Sequence, residues 1–258
     1  MSFQRGPYGG GVNIAFPPVT PMVRQLLWAL GIAFAIQVLL EETGFGAIVA
    51  WLALRPAYVF PFVWQLVTYA LLHGGLTHLL FNMLGLWMFG GDVERLLGSR
   101  AFLRYCLVCV VGGALAHVVL GLLVQGPSPA VIGASGGVLG VVLAFALLFP
   151  HRQIFLFPLP VPLRARTVAI LFAAIDLYGA IRANPIQGGG IAHSAHLGGM
   201  LAGYLYLKGF IRPGGWLSGF KRRFGSRRDG FRVIDGDRRD IFHRTRHFAS
   251  GSETVLTR

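Results

Sequence analysis

The sequence predicts an all-α polytopic membrane protein, a bundle of six transmembrane helices, and three observations predict it. The 258-residue chain is 54% hydrophobic and only 13% charged, with a mean hydropathy of +0.62, which is too apolar for an ordinary soluble domain. Six apolar runs, residues 21–40, 75–91, 101–124, 132–150, 167–181 and 191–207, approach the ~20 residues that a hydrocarbon core needs. The arginines sort into alternate connecting segments, the pattern of loops that stay on the cytoplasmic side.

Residues 1–20, rich in glycine and proline, read as a flexible cytoplasmic arm. Their charged start is not followed directly by the short apolar core and small-residue cleavage site expected of a secretory signal. The six runs then make up one membrane domain, residues 21–210. A seventh apolar stretch, 58–72, holds Trp64, Gln65, Tyr58, Tyr69 and Pro61, which suits an interfacial or re-entrant segment better than a span. With the N-terminus inside, the inner segments carry Arg5 and Arg24, then Arg95, Arg100 and Arg104, then Arg152, Arg164 and Arg166, while the outer ones hold only Arg55 and Arg182. Both termini are therefore expected to be cytoplasmic. A seventh span would send the basic tail outside.

That tail, residues 211–258, holds twelve Lys/Arg against five Asp/Glu and accounts for much of the net charge of +13. Its low apolar content and glycine punctuation predict disorder or a weakly folded piece. Lys221, Arg222, Arg223, Arg227 and Arg228 lie close enough to the last span to attract anionic lipid. No nucleic-acid recognition module accompanies the charge, so no nucleic-acid partner is expected. Cys106 and Cys109, three apart in the third run, read as small packing residues, since no second pair completes a zinc site.

Polar side chains inside spans are costly and mark function. His78 and Asn82 lie in the second run, Ser135 in the fourth and His196 in the sixth. In the inferred topology all four fall in the opening turns of inward-running spans, so they share one depth, within ~10 Å of the outer surface at 1.5 Å rise per residue. A serine becomes a nucleophile when a base takes its proton, and a histidine on a facing helix is the obvious candidate. Gly133, Gly136, Gly137 and Gly140 in one run and Ala195, Gly199 and Gly203 in the other would let the two helices approach closely. Equally, these glycines could only pack a bundle, with Ser135 bonded to backbone. His78 and Asn82, four apart on one helix face, could donate together to a developing oxyanion or simply stabilise a helix contact.

The stretch from Trp64 to Met83, the motif Gly133-Ala134-Ser135-Gly136 and the element Ala195-His196-Leu197-Gly198-Gly199 together resemble the rhomboid intramembrane serine proteases, over roughly residues 20–210. The resemblance implies that Ser135 is the nucleophile and His196 its base and acid, a dyad with no orienting carboxylate. It implies an oxyanion hole of His78, Asn82 and the Ser135 amide, and a loop-supporting role for His73. It further implies no cofactor, no metal, and transmembrane protein substrates with small residues around the cut. The compact loops suggest a bacterial inner (plasma) membrane, with an organelle membrane as the alternative. Two positions depart from the family pattern: Trp64-Gln65 replaces Trp-Arg, and Leu139 replaces an aromatic residue.

Asp176 in the fifth run reads as a proton-relay or substrate-binding group, as a carboxylate paired with a nearby donor, or as a protonated acid. His193 shares a face with His196 and is its rival as base. Two other functions stay open: a non-catalytic relative that binds transmembrane clients, and a metal-dependent membrane protein using His73, His78, His193, His196 and Asp176.

Overall fold

The computed structural model describes residue 17 and residues 19–123, 130–155, 161–182 and 191–209; most of the N-terminal arm and all of the basic tail lie outside the described residues. Six longer helices carry the architecture: α1 (Pro21–Glu42), α4 (Leu76–Leu97), α5 (Ser99–Leu123), α6 (Ser135–Leu148), α7 (Ala165–Arg182) and α8 (Ile191–Leu207). One of them falls in each of the six apolar runs. Two short helices, α2 (Gly46–Leu52) and α3 (Gln65–Thr68), belong to the connection between α1 and α4. Among the described residues the named elements are all helices apart from a two-stranded antiparallel hairpin, β1 (Gln153–Phe155) with β2 (Pro162–Arg164), which apolar periodicity did not predict.

The stretch 58–72 does not form a spanning helix. It breaks into the 3₁₀ turn Pro56–Tyr58, α3, and a second 3₁₀ turn, Tyr69–Leu71. Gln65, at a position where the family pattern has arginine, is fully buried; its Oε1 accepts the Arg55 amide at 3.1 Å and its Nε2 donates to the Trp51 carbonyl at 3.1 Å. The loop is thus tied by a neutral amide in place of the missing charge.

Among the described residues, α1 and α5 are long and apolar enough to cross a membrane by length and composition. The other four are shorter or diluted by polar residues. α6 has 14 residues and α8 has 17, while α4 carries His78, Asn82 and Asp92 to Arg95, and α7 carries Arg166, Asp176 and Arg182. The surface pattern gives an independent sign of the solvent. Trp28, Phe81, Leu123, Ile170 and Ile181 are exposed, whereas Gln37, Asn82, Glu94, His117, Asp176 and Ser194 are buried. An exterior of large apolar groups around a polar interior fits hydrocarbon surroundings.

Buried polar groups take over the joints of the bundle. Glu94 of α4 accepts the amides of Met22 and Val23, each at 2.9 Å, and the hydroxyls of Thr20 and Ser99. It caps the N-terminus of α1, where the orphan amides and the positive end of the helix dipole both favour a carboxylate. Gln37 of α1 pairs with the His73 backbone through both amide atoms, at 2.9 Å each.

α8 runs along both α5 and α6. On the α5 side Gly112 faces Ala202, and Gly198 faces Ala116 and the Gly112 carbonyl. On the α6 side a Cβ at Gly199 would fall on the Gly136 carbonyl, 2.7 Å from its carbon. Gly203, expected against α6, instead faces Tyr105 and Cys109 of α5, because α8 packs on both helices and this turn of it meets α5. Cys109 fills the space that Gly140 and Gly203 leave, as its reading as a packing residue implies. Because the Gly199 contact is backbone on backbone, no side chain can rotate away. Gly199→Ala is therefore expected to lower thermal stability in detergent and to reduce serine reactivity by at least ~10-fold, since separating the helices by 1 Å misplaces groups at the site; thermal unfolding and activity assays on the purified variant check both.

Candidate active site

The local backbone around Ser135 is set by its glycines. Gly133 has φ +125°, a conformation that side-chain-bearing residues rarely adopt, and its amide donates to the Tyr69 carbonyl at 2.9 Å. This turn delivers Ser135 as the first residue of α6. The first intrahelical bond runs from the Val138 amide to the Ala134 carbonyl at 3.0 Å. The amides of Ser135, Gly136 and Gly137 therefore precede the ladder at the positive end of the helix.

Three helices supply a chain of contacts that begins at the serine hydroxyl. Ser135 Oγ lies 2.6 Å from His196 Nε2 on α8, and His196 Nδ1 lies 2.8 Å from Asp176 Oδ1 on α7. The same Oδ1 is 2.7 Å from His193 Nδ1. Of the two histidines on α8, His196 bonds to the serine and His193 bonds to the carboxylate, their rings 6.1 Å apart and nearly perpendicular. The hydroxyl is partly buried and the carboxylate is 5% exposed. The resemblance implied no orienting carboxylate; the structure puts one within hydrogen-bond reach of His196. Its signal in the sequence was a lone acid in an apolar run. Nothing in its spacing links it to α8, because the partnership comes from the packing of α7 on that helix.

His78 approaches from α4. Its Nδ1 accepts the Gly74 amide at 3.3 Å, which leaves Nε2 as the ring's donor. A Cβ at Gly133 would stand 2.8 Å from that Nε2 and 3.7 Å from Ser135 Oγ. Gly133 was expected among the helix-packing glycines, but it lies before α6 and keeps open the gap between His78 and Ser135. Asn82 is buried, and its Nδ2 donates to the His78 carbonyl at 2.9 Å within α4. One of its two donor hydrogens is thus committed to its own helix. His73, in the loop before α4, is fully buried with its ring edge-on to His78 at 5.1 Å. Burial lowers its pKa to about 4, so it is neutral near pH 7.

A serine bonded to an imidazole whose far nitrogen is held by a carboxylate is the arrangement that activates a hydroxyl for acyl transfer. The cluster could also be read as a metal site, because one ligand atom each from Asp176, His193 and His196 lies within 4.8 Å of the others. The contacts of 2.7 and 2.8 Å are N–H···O lengths. An ion on those atoms would displace both hydrogen bonds.

Comparison with known proteins places this geometry in context. The rhomboid domain family model matches residues 61–213, more than half of the chain. The chain is 35% identical over 138 residues to the mitochondrial rhomboid protein 1 of Saccharomyces cerevisiae, covering 52% of this chain and 38% of that protein. It is 35% identical over 145 residues to the rhomboid protease GluP of Bacillus subtilis, covering 55% and 25%. It is 29% identical over 217 residues to the rhomboid protease GlpG of Yersinia pestis, covering 80% and 67%. The chain thus spans about a quarter to two fifths of the length of the first two relatives. The matched region begins in the loop before α4 and takes in Ser135, Asp176 and His196 on their three helices; by that match the chain belongs to the rhomboid family, whose members are integral membrane proteins.

Proposed function

We propose that the chain is an intramembrane serine endopeptidase that cleaves transmembrane segments of other membrane proteins near the outer face, through an acyl-enzyme. The observation that carries the reading is the 2.6 Å contact between Ser135 Oγ and His196 Nε2, made between two separate helices. Ser135 Oγ attacks the scissile carbonyl carbon as its proton passes to His196 Nε2. The oxyanion that forms meets the Ser135 amide at the helix N-terminus and the Nε2–H of His78, with the free amide hydrogen of Asn82 as a third donor. His196 then protonates the leaving amine, the C–N bond breaks, and an ester to Ser135 remains. Water then attacks the ester carbon as one of its protons passes to His196 Nε2; the bond from that carbon to Ser135 Oγ breaks, His196 returns the proton to Oγ, and the new carboxyl end is released. No cofactor takes part.

The same reading assigns all six longer helices as spans, with both termini cytoplasmic and residues 211–258 as a basic tail able to meet anionic lipid. A bacterial inner membrane fits the compact loops. Substrates are membrane-spanning segments with small residues and weak helical character at the cut, because helical backbone must unwind before its carbonyl can be attacked.

Reconstitution of the purified chain in liposomes with a fluorescently labelled transmembrane substrate tests the reading. A single cut in or just above the membrane segment is expected, and an intact substrate under all conditions would contradict it. In the same assay His78→Ala and Asn82→Ala are each expected to slow turnover by ~10²-fold or less, since the other donors remain. Loss of substrate binding with unchanged turnover would move the two residues from the oxyanion site to recognition.

A further inference from the structure

We infer that Asp176 is a positioning residue for His196, converting the expected dyad into a serine–histidine–aspartate array spread over α6, α8 and α7; the inference rests on the protease reading above. A carboxylate in an apolar span is costly unless donors satisfy it, yet Asp176 is buried, with two imidazole nitrogens within 2.8 Å of a single oxygen. An ionised carboxylate only accepts hydrogen bonds. The contact to His196 Nδ1 therefore requires the proton to sit on Nδ1. That tautomer leaves Nε2 with a lone pair, and Nε2 is the atom 2.6 Å from Ser135 Oγ. The serine hydroxyl must then donate to it, which is the starting geometry for proton abstraction.

Without the carboxylate, the neutral ring can put its proton on Nε2, where it opposes the serine proton. The carboxylate also stabilises the imidazolium formed when the serine proton arrives, in surroundings poorer in water than the bulk. Asp176 touches neither substrate nor the reacting oxygen. It works through the ring, by fixing its tautomer and its rotation about the Cβ–Cγ bond. The second contact, to His193 Nδ1, comes from one turn nearer the start of α8. It satisfies a further lone pair of the same oxygen without reaching the serine.

The test uses the full chain in detergent micelles with ¹⁵N-labelled histidine, together with Asp176→Asn and Asp176→Glu. Imidazole ¹⁵N shifts, assigned to His196 by comparison with His196→Ala, report which nitrogen bears the proton. In the parent, His196 is expected as the Nδ1–H form. Asp176→Asn, nearly isosteric but able to donate to Nδ1, is expected to populate the Nε2–H form. It should slow fluorophosphonate labelling of Ser135 and kcat by ~10²-fold or more, with KM within about 2-fold, because substrate contacts are untouched. Asp176→Glu, which restores an acceptor-only group, should recover part of the loss.

A parent His196 in the Nε2–H form would overturn the inference without any variant having to fold. So would Asp176→Asn that labels at the parent rate, or that loses activity with the tautomer unchanged, the pattern of a merely structural residue. Labelling of Ser135→Ala separates the two levels of the argument. A parent-like signal in that variant would sink the protease reading itself, whereas a blank there alongside parent-like Asp176→Asn would sink only the role of Asp176.

Discussion

Ser135→Ala is expected to abolish cleavage of the reconstituted transmembrane substrate while leaving the protein folded. The substitution removes one oxygen, whose described contact is with His196 Nε2. Ser135 does not cap its own helix, because the N-cap position is Ala134 and no side-chain cap bond is made there. Alanine has the highest helix propensity, and the backbone turn depends on Gly133 rather than on the serine. Size-exclusion profile and thermal unfolding should therefore match the parent. Chelators such as EDTA and 1,10-phenanthroline should leave the parent's activity unchanged, since the proposed chemistry uses Asp176, His193 and His196 through hydrogen bonds and proton transfer and not as ligands. Turnover by Ser135→Ala close to the parent's rate, or activity lost to chelators and restored by zinc, would transfer the chemistry to those three residues as metal ligands.

The second large effect separates two histidines on one helix. His196→Ala is expected to reduce turnover by at least ~10³-fold, because the base and the route of the proton to the leaving amine go together. His193→Ala should retain most activity, within about tenfold of the parent. His193 makes its contact with Asp176 and packs its ring over Gly179 of α7, so its removal leaves both the Ser135–His196 and His196–Asp176 contacts in place. Parallel steady-state assays of the two variants decide the matter. Greater sensitivity to position 193 than to position 196 would reverse the assignment of the base.

What the sequence disclosed follows from the range of the interactions involved. The positions of the longer helices were legible, because hydrocarbon demands long apolar runs and each run produced a helix. The broken stretch 58–72 was legible from its proline and its polar and aromatic residues. Two kinds of feature were not. The first are contacts between distant residues with no spacing rule: Glu94 capping α1 from α4, Gln37 pairing with the His73 backbone, and Asp176 reaching α8 from α7. Each is a lone polar residue in an apolar helix, which says that it has a partner without saying which. The second is the choice of helix that a small residue faces. Gly199 and Gly203 are four apart, yet one meets α6 and the other α5, because α8 lies in the groove between the two. Glycine spacing indicates close packing, and only the crossing geometry gives its address.

At the reacting atoms, motif and geometry say different things. The motifs single out Ser135 and His196 as residue types with an order in the chain. The structure adds the 2.6 Å contact, the acceptor-only partner behind it and the open space at Gly133. On the proposed reading, activation of the hydroxyl comes from that arrangement, so it should be detectable without a natural substrate. Labelling the purified full chain with an active-site-directed fluorophosphonate, then mapping the adduct by mass spectrometry in the parent, His196→Ala and His193→Ala, measures it. The account predicts a single adduct on Ser135 that is retained in His193→Ala and lost in His196→Ala; an adduct elsewhere, or one on Ser135 that survives the loss of His196, would contradict it.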